Sequence, residues 1–196
     1  MNMRLILCEL PADEEPAAWM ARVSEWVTDE ELAASAGFAP HRRREYLVWR
    51  AAVRQELGRG TDIRYDAAGA PQVGGGAYIS VSHSQRLVVV CVADAPCAVD
   101  TEPLTRNFDR VRRRYMTDSE ATLNDDPRLA AAVWCAKEAL YKLEGREGCD
   151  FLRDISVTEV DFDKGRICGT VYGGEEIQLE ISYLADNIIV SGKSNC

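Results

Sequence analysis

Several features that mark common protein classes are missing from this sequence. Its only two histidines, His41 and His83, lie too far apart for the helical zinc-protease motif. No Gly-x-x-x-x-Gly-Lys loop occurs, which excludes the P-loop nucleotide hydrolases. The seven cysteines form neither a Cys-x-x-Cys pair nor a zinc-finger spacing. We therefore expect reduced thiols and a cytoplasmic protein.

Positive charge and long apolar runs are also scarce. The formal net charge is -9, although arginines cluster at residues 42–44 and 110–114. A nucleic acid would be repelled by the net charge, so we expect no nucleic-acid partner. No apolar run approaches the roughly 20 residues that cross a bilayer, so we expect no membrane partner either. The 196 residues suit one compact domain or two small half-domains, and we expect a monomer.

Hydrophobic periodicity predicts strands that alternate with helices. Two long helices are predicted at residues 40–57 and 129–143, each followed by a glycine. Shorter helical segments are predicted at residues 14–26 and 108–115. A turn at residues 82–86 separates two of the predicted strands, which lie at residues 3–10, 77–81, 87–92 and 97–101. The remaining strands form the pattern of an antiparallel meander, at residues 155–160, 166–171, 176–184 and 188–191.

Three short segments carry residues that suit one metal site. Asp100 and Glu102 are two residues apart, so an extended chain places both carboxylates on one face. Glu138 and Lys142 are four residues apart on the second long helix and share one of its faces. Carboxylates suit a hard divalent cation, while this lysine and a histidine in the segment at residues 80–84 can neutralise phosphate oxygens. The pattern indicates a divalent-metal site that handles a phosphorylated ligand.

Each of these residues also has an ordinary structural interpretation. A single acidic residue is more often solvated than bound to a metal. Glu138 can form an ion pair with Lys142 one helical turn away, and His83 can be a hydrogen-bonded turn residue. Lys137 points to a different side of the same helix, and we expect it at the surface.

A family resemblance rests on five segments taken together. They are a basic helix, a Gly-Pro turn, a Ser-His turn, an acidic strand and a helix with the pattern Trp-x-x-Lys-Glu, at residues 42–54, 65–71, 80–84, 99–102 and 134–142. Over roughly residues 40–150 the chain resembles the 4'-phosphopantetheinyl transferases of the larger, Sfp-like class. The family usually has lysine where Ala70 stands and glycine where Ala98 stands.

The resemblance implies a fold and an activity. The implied fold is α+β, with two similar half-domains that each pack a small antiparallel sheet against a long helix. The implied boundary divides the chain into residues 1–98 and residues 99–196. The implied reaction moves the 4'-phosphopantetheine group of coenzyme A onto a serine of an acyl or peptidyl carrier protein, releases 3',5'-ADP and requires Mg2+.

The resemblance also implies roles for individual residues. Asp100, Glu102 and Glu138 would bind the metal. Glu138 would take the proton of the incoming serine, Lys142 would neutralise a phosphate oxygen, and Asp100 completes the catalytic set. The residues implied to bind coenzyme A are Arg42, Arg43, Arg50, Gly69, Pro71, Ser82, His83 and Lys142.

Three alternatives remain open at this level. The arginine-rich helix is also typical of a solvated, salt-bridged face, and the arginines at residues 110–114 either attract an acidic carrier protein or form an exposed helix. The whole chain can also be a non-catalytic homologue that binds coenzyme A, a related nucleotide or a partner protein. Ala70 favours that alternative, whereas the intact set of three carboxylates and Lys142 favours the enzyme.

Overall fold

The computed structural model describes residues 3–145 and 148–194 and has a mixed α+β fold with antiparallel sheets. Two single-turn 3-10 helices, at Arg112–Arg114 and Glu120–Thr122, precede the last α-helix. The α-helices are α1 (Pro16–Val23), α2 (Asp29–Ala34), α3 (Pro40–Leu57) and α4 (Leu129–Glu144). The strands are β1 (Arg4–Glu9), β2 (Ile63–Tyr65), β3 (Pro71–Val73), β4 (Tyr78–His83), β5 (Leu87–Ala93), β6 (Cys97–Pro103), β7 (Ile155–Asp161), β8 (Arg166–Val171), β9 (Ile177–Leu184) and β10 (Asn187–Lys193).

The strands of the described residues form three antiparallel sheets. The first has the order β1-β5-β4, the second has the order β6-β10-β9-β8-β7, and β2 pairs with β3 in a small hairpin. The last four strands of the second sheet are the predicted meander. The α+β prediction is confirmed, while the similarity of two half-domains and their boundary at residue 98 stay predictions. Across the described chain, none of the helices combines the length and apolar character needed to cross a membrane.

Strand β5 is buried on both faces, as its continuous apolar run predicts. One set of its alternating side chains, which includes Val88 and Val90, packs against α3. The other set, which includes Val89 and Cys91, packs against Val99 and other residues of β6 and β10. A separate core lies between the second sheet and α4. The fold is therefore layered as helix, sheet, sheet and helix.

Two serines of β4 bind the edge of β6 that has no neighbouring strand in its own sheet. Strand β6 pairs with β10 on one side only, so the N–H groups on its other side need acceptors from outside the sheet. The Val99 N–H donates to Ser80 Oγ at 3.2 Å, and the Thr101 N–H donates to Ser82 Oγ at 3.1 Å. Side chains of one sheet thus satisfy the backbone of the other at the junction.

A third serine extends this series. Ser84 Oγ donates to Oδ1 of the buried Asn187 at 2.8 Å. We call Ser80, Ser82 and Ser84 the serine ladder, because every second residue along β4 and its turn binds the second sheet. The predicted turn at residues 82–86 is wrong in its extent, since Ser82 and His83 belong to β4.

The helix predicted at residues 108–115 is wrong. Only Arg112–Arg114 form a single 3-10 turn there. Like charges at helical spacing, such as those of Arg110 and Arg114, disfavour a helix in this segment. Helix α1 is also shorter than predicted at both ends, since it begins at Pro16 and ends at Val23.

Lys137 is fully buried, so the prediction that it lies at the surface is wrong. Its ammonium group lies 2.7 Å from Glu120 Oε1 and donates to the Phe151 carbonyl oxygen at 2.6 Å. The Glu120 carboxylate also accepts from the Val157 N–H at 2.8 Å and from the Thr117 N–H at 2.7 Å. A buried ion pair is tolerated when further hydrogen bonds satisfy it, as they do here. The pair joins α4 to β7 and to the segment before α4.

Removal of the buried lysine provides a test of this network. The Lys137→Met variant should lose about 3 to 5 kcal/mol of unfolding free energy, because the Glu120 carboxylate stays buried without its cation. Urea denaturation followed by circular dichroism measures the loss. The exposed Lys164→Met variant is the control, and equal stability of the two variants would contradict the structural role of Lys137.

The serine ladder predicts a smaller loss of stability. The Ser80→Ala variant leaves the Val99 N–H buried without an acceptor, which should cost about 1 to 3 kcal/mol. The exposed Ser24→Ala variant serves as the matched control in the same urea experiment. A Ser80→Ala protein as stable as the parent would show that the ladder does not hold the two sheets together.

Candidate active site

Asp100 is the centre of the site. It lies on β6, and its side chain is buried. Oδ1 accepts hydrogen bonds from Ser82 Oγ and from Lys142 Nζ, both at 2.9 Å. Oδ2 is also buried, yet within residues 3–145 and 148–194 it has no hydrogen-bond partner. A buried carboxylate oxygen normally has a partner, so Oδ2 is a candidate ligand atom.

The fully buried Cys135 lies beside this carboxylate. Burial raises the pKa of the Cys135 thiol, and the negative charges of Asp100 and Glu102 raise it further. The thiol is therefore neutral, and a thiol is only a weak hydrogen-bond donor. It cannot replace a strong partner for the carboxylate.

Lys142 connects Asp100 to the rest of the site. Its ammonium group donates to Asp100 Oδ1 and also to the Val99 carbonyl oxygen at 2.8 Å. These bonds use two of its three protons, which leaves the third for a ligand. The side chain is 28% exposed, so a ligand in solution can reach it.

The other two carboxylates lie close enough to interact with Asp100 electrostatically. Burial raises the pKa of Glu138, and the negative charge of Asp100 raises it further. Burial likewise raises the pKa of Glu102, while Arg106 opposes that shift. Among the described residues, no side chain donates a hydrogen bond to Glu138, whereas Trp134 Nε1 donates to Glu102 Oε1 at 3.1 Å. The structure thus gathers the three predicted carboxylates beside one face of α4.

The three carboxylates do not form a preassembled metal site. Over the described ranges, no group of three or more His, Cys, Asp or Glu side chains is positioned to hold a metal ion. Glu102 instead forms an ion pair with Arg106, and Asp100 forms one with Lys142. The chemistry nevertheless fits a hard cation, because all donors are oxygens and Asp100 Oδ2 has no partner. Metal binding by this set stays a prediction.

A cleft of about 470 Å³ lies next to Lys142. Gly69, with a φ of 83°, turns the β2–β3 hairpin at the cleft wall, where Pro71 begins β3. Ala70, between them, has no charged side chain. Its N–H donates to Asp66 Oδ1 at 2.8 Å. The wall is completed by β4, the start of β6 and the end of α4, with Tyr78, Ile79, Ser80, Pro96, Cys97 and Tyr141 among the lining residues.

Arg42 and His83 lie together near the start of α3. The Arg42 guanidinium is 3.0 Å from His83 Nε2, and Glu45 Oε1 is 3.5 Å from His83 Nδ1. Burial lowers the pKa of His83, although the Glu45 carboxylate opposes that shift, so the ring is neutral at pH 7. The charges of Lys142 and Asp100 also act on the pKa of His83. The pair therefore lies near the carboxylates.

Arg50 is buried and bonded to neighbouring elements of the fold. It is 2% exposed, and it donates to the Tyr46 carbonyl oxygen at 3.0 Å and to the Tyr65 hydroxyl group. Its Nε lies 3.3 Å from Glu31 Oε1. These contacts join α3 to α2 and to the β2–β3 hairpin. Arg50 is not among the residues that line the cleft, and its contact with coenzyme A stays a prediction. Arg43 is not brought into the cleft lining either, and its buried Nε has no partner in the described chain.

Sequence reasoning missed several residues that shape the site. The regular alternation of the serine ladder was visible in the sequence, but the acceptors and donors opposite it were not. Glu45 and Arg106 were missed because their contacts depend on how loops and helices return to the strands. The Ser82 hydroxyl group donates to Asp100 Oδ1, and its contact with a ligand stays a prediction.

Comparison with known proteins gives one family match. A family model for the 4'-phosphopantetheinyl transferase superfamily matches residues 96–190, and no curated protein matches the chain. The matched segment contains β6, with Asp100 and Glu102, and α4, with Glu138 and Lys142. The chain therefore carries, at residues 96–190, a domain of the 4'-phosphopantetheinyl transferase superfamily.

Proposed function

We propose that this protein transfers the 4'-phosphopantetheine group of coenzyme A to a serine of an acyl or peptidyl carrier protein, with a divalent cation such as Mg2+. Its superfamily domain supports phosphopantetheinyl transfer. The observation that carries the finer proposal is the position of Lys142. It lines the cleft and donates to the central Asp100, so a ligand in the cleft would present its phosphates beside the carboxylates.

Coenzyme A is proposed to occupy the cleft next to the hairpin. A volume of about 470 Å³ lies within the range of small-molecule sites. Lys142 would contact a phosphate oxygen with its third proton. Arg42 is 56% exposed and has guanidinium donors for a further phosphate, while His83 accepts from it and orients it.

The three carboxylates are proposed to hold the divalent cation. When bound, the cation would supply positive charge to the pyrophosphate oxygens. A cation would also relieve the repulsion among Asp100, Glu102 and Glu138, which contributes to the raised pKa of the two glutamates. Asp100 Oδ2 is the oxygen best prepared for this role, because it is buried and unpaired in the described chain.

Glu138 is proposed to act as the general base. The serine oxygen of the carrier attacks the phosphorus that bears the pantetheine arm, and the bond from that phosphorus to the 3',5'-ADP oxygen breaks. Glu138 accepts the serine proton, and no donor among the described residues competes for its carboxylate. Its half-buried position on a helix holds it in a defined direction. Lys142 offsets the negative charge that develops on the phosphate.

A non-catalytic homologue remains the second candidate. Two observations favour it: Ala70 places no cation at the cleft wall, and Arg106 already neutralises Glu102. Such a protein would bind coenzyme A or a partner without transfer. The arginines at residues 112–114 are exposed and would suit an acidic carrier protein in either case.

Transfer is tested with a panel of apo carrier proteins, coenzyme A and Mg2+, followed by intact-mass analysis. We expect a gain of one phosphopantetheine that EDTA abolishes.

The Glu138→Gln variant should lose at least about 100-fold in rate, because it cannot accept the serine proton. Its urea unfolding midpoint should match or exceed that of the parent, since no described hydrogen bond is lost. The exposed Glu180→Gln variant is the control.

Two results would contradict the proposal in different ways. An active Glu138→Gln variant would contradict the role of Glu138 as general base, while the transferase activity would still stand. Absence of any mass gain across the panel, with coenzyme A binding still seen by calorimetry, would favour the non-catalytic homologue.

The cleft assignment predicts a gain of affinity. The Ala70→Lys variant should lower the KM for coenzyme A about tenfold with little change in kcat, because a new cation would face a ligand phosphate across the cleft wall. The Ala67→Lys variant adds the same charge on the same turn, outside the cleft lining. Equal KM values for the two variants would contradict the position of the coenzyme A phosphates beside residue 70.

A further inference from the structure

Arg106 occupies a distinctive position beside the carboxylates. It follows β6, and its guanidinium forms an ion pair with Oε1 of Glu102, four residues earlier in the strand. The group lies over two aromatic rings, 4.9 Å from the centre of Trp134 and 5.1 Å from the centre of Phe108. Its side chain is 36% exposed. Arg106 is therefore held at the rim of the site by one ion pair and two cation–π contacts.

The charges of the site explain why a cation is needed at this position. The negative charges of Asp100, Glu102 and Glu138 act on one another in this site and repel one another. Lys142 and Arg106 offset two of the three charges. With a divalent cation bound, Lys142 and the cation alone would neutralise the three carboxylates. Arg106 would then bring an excess positive charge, and two cations so close together repel each other.

Glu102 cannot serve both cations through the same oxygen. Its Oε1 already accepts from Trp134 Nε1 and from Arg106. The Trp134 bond is compatible with a metal ligand, because hydrogen bonds from surrounding groups commonly orient carboxylate ligands. The Arg106 bond opposes metal binding through Oε1, because it places a full positive charge beside that oxygen.

We propose that Arg106 is a displaceable counter-cation: it holds Glu102 while the site lacks a metal ion, and it leaves Glu102 when a divalent cation binds. This inference rests on the proposed function, since it takes the three carboxylates as the metal ligands. Arg106 acts through Glu102 and is thus a positioning residue. It keeps the carboxylates ordered without the ion and sets how tightly the ion binds. The exposed side chain has room to move, and the Phe108 ring can keep its guanidinium at the rim.

The test is Mn2+ binding without coenzyme A, measured from the electron paramagnetic resonance signal of free Mn2+. The Arg106→Gln variant should bind Mn2+ about fivefold more tightly than the parent, because the ion no longer displaces an ion pair. The Arg106→Lys variant retains the charge and should bind nearly as weakly as the parent. The exposed Arg110→Gln variant, with the same change in net charge, should bind like the parent.

A second readout follows the side chain itself. In 15N-labelled parent protein, addition of Mg2+ should shift the Nε–H resonance of Arg106 toward that of a solvated arginine. The Arg110 resonance should not move. A purely structural arginine would keep its resonance when the ion binds.

Three results of the Mn2+ experiment would overturn this role for Arg106. They are equal or weaker Mn2+ binding by the Arg106→Gln variant, a gain of the same size in the Arg110→Gln variant, and absence of Mn2+ binding by every protein tested. The proposed function is judged separately by the mass gain of the carrier protein. A transferase that fails the Mn2+ test would therefore lose the Arg106 role but keep its activity.

Discussion

The hydrogen bonds to Asp100 Oδ1 determine how the rest of the site is arranged. One donor, Ser82, comes from the first sheet, and the other, Lys142, comes from α4. A buried carboxylate is costly unless it is hydrogen-bonded, so both donors must stay in place while the protein is folded. These two bonds join β4 and α4 to β6, in addition to the apolar cores that pack the sheets and α4 together. The cleft beside Lys142 exists because these three elements meet there.

Helix α4 shows two ways of burying charge, on consecutive residues. Lys137 and Glu120 satisfy each other together with backbone groups, and their pair stabilises the fold. Glu138, on the adjoining face, has a raised pKa and no hydrogen-bond donor in the described chain. A fully paired buried charge stabilises the fold, whereas an incompletely paired one can still gain an interaction with a ligand. The difference lies in the partners, not in the residue types.

Local patterns predicted the elements well where local forces dominate. The bounds of α3 were predicted at Pro40 and Leu57, because a proline at its start and a glycine after its end act within one turn. The helix at residues 108–115 and the turn at residues 82–86 were predicted wrongly. Repulsion among arginines disfavours the predicted helix. The backbone pairing of β4 with β5 extends the strand through His83, where the turn was predicted.

The sequence by itself determined the α+β class, the two long helices and the chemical types that stand at Asp100, Glu102, Glu138 and Lys142, because these follow from periodicity and residue identity. Tertiary structure decided which of the charged residues share partners. Arg50 and Lys137 are buried in structural contacts, while Arg106 lies against Glu102. Sequence alone does not show these differences, because the environment of a charge depends on groups that are distant along the chain and adjacent only after folding.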